Sequence, residues 1–81
     1  MKTIFDSRYV RLVDLMIARR RELGLSQEQV TRQLQVTRSW IGKVEQRERR
    51  LDVLETWLLC RLYGIRMKDI EKTLTSDVKR P

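Results

Sequence analysis

The sequence predicts an all-α fold, a compact set of five short helices, on three observations. Apolar residues recur at three- and four-residue steps along most of the chain, the spacing that lines one face of a helix. Ser, Thr or Asp stands ahead of three of those runs, and Gly follows two of them, as helix caps require. With three Gly, one Pro, 36% charged and 6% aromatic residues among 81, the composition suits a small helical domain better than a disordered chain or a β-sandwich.

Taken in order, Tyr9, Leu12, Val13, Met16 and Ile17 set a first helix from Ser7 to about Leu23, which Gly24 ends, and Arg20 continues its apolar stripe. Ser26 and Gln29 form a capping box, with Leu25 and Val30 at the staple positions, so a second helix runs from Gln27 to about Leu34. Thr37 caps a third, Arg38 to Gln46, whose buried stripe is Ile41 and Val44 and whose staple pair is Val36 and Ile41. A second capping box, Asp52 with Glu55, opens a fourth helix that reaches Tyr63 and stops at Gly64. Met67, Ile70 and Leu74 support a short fifth helix, and residues 75–81 have no pattern and are expected to fray. The whole of residues 1–81 is expected to be one domain.

Charge and composition restrict the chemistry. The net charge is +7, and residues 1–50 carry 12 basic against 6 acidic side chains while residues 51–81 carry 6 against 5. A polyanion is the first partner to consider, with a merely soluble basic surface as the plain alternative. There is no His, so imidazole catalysis and His metal ligation are excluded, and no metal or other cofactor is expected. Cys60, the single cysteine, lies among apolar residues and fits an inert core position in a reducing compartment. No clustered nucleophile, base or metal set is visible, so an enzyme is not expected. The longest apolar runs, such as Trp57 to Cys60, are far too short for a membrane span, and the N-terminus lacks a signal-peptide core, so the expected location is the cytoplasm.

The second and third helices are each about two turns long and depend on tertiary packing, since isolated helices of that length do not persist in water. Only Gln35, Val36 and Thr37 join them. So short a turn with an apolar centre forces a steep crossing, either an ordinary helical corner or the helix-turn-helix that presents its second helix to a DNA major groove.

At this point the segment from Leu23 to Ile65 resembles the Cro/CI-type, or Xre-type, helix-turn-helix regulators. The matching features are the Leu25-Ser26-Gln27 opening, the Val36-Thr37 turn, Ile41 with Glu45 in the third helix, and the Gly64-Ile65 end of the fourth. The similarity covers about Val10 to Ile70. Two positions depart from it: Gln35 and Arg47 stand where the family often has Gly. The resemblance implies a five-helix, lambda-repressor-like DNA-binding domain. The segment from Arg38 to Asp52 also looks like phage repressors and the controller proteins of restriction-modification systems.

With Ile41 and Val44 inward, the helical step sends Ser39, Gly42, Lys43 and Gln46 outward, and Arg38 projects from the helix N-terminus. Arg38, Ser39, Lys43 and Gln46 are therefore the candidate base readers; Arg or Lys suits guanine O6 and N7, and Ser several edges. For each, a solvated polar face is the alternative. The resemblance places Gln27 as a phosphate contact at the start of the second helix, and Arg47, Arg49 and Arg50 would flank the same strand. Trp40 falls between the core and the outward face: packing beside the second helix is preferred, and contact with the sugar-phosphate backbone or a thymine methyl stays open. Arg20 on a buried stripe needs a partner, and Glu45, which the family pairs with a matching Arg, is expected to supply it as a structural salt bridge.

The fourth helix is apolar almost all round. Its core face is expected to hold Val53, Thr56, Trp57, Cys60 and Tyr63, with Leu59 at the edge, leaving Leu54, Leu58 and Leu62 on the opposite side. A second copy of the chain, assisted by Met67 and Ile70 of the fifth helix, is the expected cover, and folding of the fifth helix or the N-terminal Thr3-Ile4-Phe5 over the stripe within one monomer is the alternative. The expected function is a sequence-specific regulator, a repressor by preference, that binds an inverted repeat in double-stranded DNA as a homodimer. A restriction-modification controller, an antitoxin-type autoregulator with a toxin partner, and a protein-binding adaptor that does not touch DNA are the alternatives.

Overall fold

The computed structural model describes residues 6–75. They form five α-helices: α1 (Ser7–Glu22), α2 (Gln27–Leu34), α3 (Arg38–Glu45), α4 (Val53–Tyr63) and α5 (Met67–Thr75). The protein is all-α among the described residues. Thr75 is the last residue of α5 rather than part of a frayed tail, and residues 76–81, like the N-terminal Thr3-Ile4-Phe5, lie outside the described residues.

Each of the first four helices opens on a side-chain cap that satisfies a free amide of its first turn. Asp6 accepts from the Arg8 amide, and Thr37 from the Trp40 amide at 3.1 Å. At α2 the Ser26 amide donates to Gln29 Oε1 at 2.8 Å while the Gln29 amide donates to Ser26 Oγ at 3.1 Å. At α4 the Asp52 amide donates to Glu55 Oε1 at 3.0 Å and the Glu55 amide to Asp52 Oδ1 at 2.7 Å.

The same four helices end alike. A residue in the left-handed region follows each, and the next amide returns to a carbonyl five residues back: Leu25 to Arg20, Val36 to Thr31, Glu48 to Lys43 and Ile65 to Cys60. Two of the left-handed residues are Gly24 and Gly64, which adopt that backbone without strain. The other two are Gln35 at φ 57° and Arg47 at φ 61°. These are the two family departures, and here each carries a side chain in a conformation that costs an L-residue about 1–2 kcal/mol.

α1 is the central element, packing against α3, α4 and α5, while α2 packs against α3. The core is Leu12, Val13 and Met16 from α1, Val30, Ile41 and Val44 from α2 and α3, and Leu51, Leu59, Cys60, Tyr63 and Ile65 from the α4 region. Polar ties lock the packing from α1 outward. The Leu51 amide donates to the Tyr9 hydroxyl, Arg19 Nη2 to the Tyr63 carbonyl, and Arg11 Nε to the Thr73 carbonyl at the end of α5.

The facing of α4 differs from the sequence expectation. Leu59, expected at the edge, is 1% exposed, whereas Val53 and Trp57, expected in the core, are 87% and 51% exposed. The helix is rotated so that Leu59, Cys60 and Tyr63 enter the core and Val53, Leu54 and Trp57 look outward, with the Arg61 guanidinium 5.3 Å from the Trp57 ring centre. In a helix with apolar residues on every side, periodicity fixes the pitch but not which face turns inward.

Candidate nucleic-acid interface

α3 is eight residues long, too short to hold its position by its own backbone bonds, so the orientation of its outer face depends on how its two ends are fixed. Its C-terminal end is held by an ion pair. Arg20 Nε donates to Glu45 Oε2 at 2.7 Å and Nη2 to Glu45 Oε1 at 3.0 Å, and both side chains are about nine-tenths buried. The remaining arm, Arg20 Nη1, donates to the Leu25 carbonyl at 2.8 Å, and Gln27 Nε2 donates to Glu45 Oε1 at 2.9 Å. A buried charge needs this degree of partnership to be tolerated, and the hydrogen bonds that Arg20 donates to Glu45 hold the Arg20 pKa above its ordinary value.

Its N-terminal end is held by Trp40. The ring is half-buried and packs against the core, and the Arg49 guanidinium lies 5.7 Å from its centre. Arg49 Nη1 in turn donates to Glu55 Oε1 at 2.8 Å. The Arg49 hydrogen bond is the main influence that holds the Glu55 carboxyl below its ordinary pKa; the Asp52 amide assists, and the Trp40 indole adds a weaker contribution.

Between these two fixings, Ile41 and Val44 are 1% and 2% exposed, and the face opposite them is open. Arg38, Ser39, Lys43 and Gln46 are all exposed, brought together on and around that face. Among the described residues none of the four side chains makes a hydrogen bond or ion pair. Gly42 lies among them, and a Cβ there would meet nothing within 4 Å, so the fold itself does not require a glycine. The face offers a guanidinium, an ammonium, a hydroxyl and an amide around a flat central position, a donor-rich set suited to base edges.

The backbone-contact candidates are more dispersed. Gln27 is half-buried, with one of its two N–H donors used on Glu45, which leaves the other for an outside acceptor. Arg47 Nη1 stands 3.5 Å from Asp14 Oδ1 with both side chains well exposed, a weak surface pair. Arg50 is exposed. Arg49 and Trp40 are engaged with one another and with Glu55. Sequence reasoning missed the Gln27–Glu45 bond and the second role of Glu55; both join residues on different elements, and helical spacing carries no signal of either.

The dimer candidates divide in the same way. Leu54 and Met67 are 62% and 74% exposed, while Leu58, Leu62 and Ile70 are half-buried and the last two pack on the core. Among the described residues there is no group of three or more His, Cys, Asp or Glu placed to hold a metal, and no helix is long and apolar enough to cross a membrane. Burial raises the Cys60 thiol pKa, which keeps the thiol protonated and unreactive.

A three-residue turn between two short capped helices, with a donor-rich open face on the second, is the arrangement of a helix-turn-helix. The chain belongs to the helix-turn-helix domain family, whose model it matches over residues 11–69, from α1 into α5. No curated protein and no solved structure matches it.

Proposed function

We propose that the protein is a sequence-specific transcriptional regulator, a cytoplasmic repressor without enzymatic activity, that lays α3 in the DNA major groove. The observation that carries this reading is the pairing of an α3 tied at both ends with an outer face whose polar side chains make no hydrogen bond or ion pair among the described residues. Arg38 and Lys43 donate to guanine edges, Ser39 and Gln46 read neighbouring positions, and Gly42 lets the helix axis come close to the bases. Gln27, Arg47 and Arg50 bind phosphates on either side, with the amides at the start of α2 adding to the attraction.

An eight-residue helix spans only a few base pairs, so a useful operator needs a second copy. The exposed apolar residues of α4 and α5, Leu54 and Met67 with Leu58, Leu62 and Ile70 behind them, form the homodimer contact in this proposal, joined by Val53 and Trp57. Two copies of α3 related by a two-fold axis then enter successive major grooves about 34 Å apart. Selection of bound sequences from a random duplex pool tests the reading. An inverted repeat with half-sites one helical turn apart supports it; recovery of no common sequence overturns it and favours an adaptor that binds protein.

A further inference from the structure

Arg49 sits in the most basic stretch of the chain, yet its partly exposed side chain is engaged by neighbouring groups. Its guanidinium lies against the Trp40 ring on one side and donates to the Glu55 carboxylate on another. Glu55 is itself fixed, because the same Oε1 accepts the Asp52 amide as half of the capping box that starts α4. A chain of contacts therefore runs from the first turn of α4 through Arg49 to Trp40, in the first turn of α3, beside Arg38 and Ser39. The Arg20–Glu45 pair fixes the other end of the same helix. A helix pinned at one end can still pivot; pinned at both, it presents one orientation.

We infer that Arg49 and Glu55 are positioning residues for the reading helix, acting through Trp40 to set the angle at which Arg38 and Ser39 meet the bases. The inference rests on the DNA-reading role proposed for α3 and deepens it. The planar guanidinium is essential here, since it can lie over a ring and donate in its own plane at once, which a lysine ammonium cannot. A phosphate ligand, by contrast, draws chiefly on the positive charge, which lysine keeps.

That difference supplies the test. Arg49→Lys and Arg49→Ala are compared with wild type on the selected operator and on a scrambled duplex across a series of salt concentrations, with thermal melts of each protein. Positioning predicts that both variants lose discrimination between the two duplexes by about 5- to 20-fold while the log-log salt slope stays at the wild-type value. If Arg49→Lys discriminates as wild type does and Arg49→Ala lowers the slope by about one per protomer, Arg49 is a phosphate ligand and the inference is overturned. Hydrogen exchange of the free proteins tests the clasp without DNA. The amides of Ile41 and Gly42 exchange at least about 5-fold faster in both variants if Arg49 holds the start of α3, and at the wild-type rate if it does not. Should the wild type prove indifferent to sequence, the DNA reading fails while this second arm still decides whether the clasp fixes α3.

Discussion

Arg20 and Glu45, 25 residues apart in the chain, meet through two parallel hydrogen bonds of 2.7 and 3.0 Å at a site nine-tenths hidden from water. Removing one partner leaves a buried charge, which costs more than the pair contributes. Glu45→Ala therefore destabilises the fold by about 3 kcal/mol, a fall in melting temperature of at least about 10 °C for a domain this size. An unchanged melt by circular dichroism contradicts the buried pair.

Gln35 and Arg47 occupy left-handed backbone that glycine enters freely. Gln35→Gly and Arg47→Gly each relieve local strain and raise stability by about 0.5–1 kcal/mol, net of the extra freedom glycine gives the unfolded chain. Urea unfolding checks the sign. A loss of stability at either site indicates that the side chain makes a contact outweighing its strain, and the Arg47–Asp14 pair at 3.5 Å is too exposed to do so.

Gly42 should separate folding from binding. Gly in a helix interior costs about 0.5–1 kcal/mol relative to Ala, and the space around it is open. Gly42→Ala is expected to raise the melting temperature and at the same time weaken operator binding by about 10-fold or more, because the added methyl group faces the bases. Thermal melts and anisotropy on the same preparation test both halves; tighter or equal binding removes Gly42 from the DNA contact.

Stability should be level from pH 6 to 8 and fall in acid. No His titrates in that range. The Arg49 hydrogen bond holds Glu55 below its ordinary value of 4.5, and the Arg8 side chain holds Asp6 well below the carboxylate range. The unfolded chain therefore takes up protons first as pH drops, so the stabilisation is complete above about pH 5 and is lost as pH falls toward the lower folded values. Glu55→Gln removes part of this dependence. Melts of that variant showing as steep an acid limb as wild type place the titrating group elsewhere.

The fold was legible because its punctuation is local. Ser26, Thr37 and Asp52 mark helix starts within a few residues of the amides they cap, and Gly24 and Gly64 mark helix ends. The rotation of α4 was not legible, since Leu, Val, Trp and Cys on every side give the helix no polar face to turn outward; only packing against α1 decides that Leu59 goes in and Trp57 stays out. Arg20 draws attention in the sequence because a charge interrupts an apolar stripe. Gln27 and Arg49 stand out only as candidate phosphate contacts, and their internal bonds carry no local signal because the partners, Glu45 and Glu55, lie on other elements.

The central proposal is that α3 reads DNA sequence, and fluorescence anisotropy with the labelled duplex upstream of the protein's own gene tests it most directly, with scrambled duplex as competitor and Arg38→Ala/Lys43→Ala as the comparison. The expected result is binding by the wild type that scrambled DNA cannot displace, and loss of that preference in the double variant with its melting temperature intact. Equal displacement by both duplexes, or an unaltered preference in the double variant, contradicts a reading role for α3.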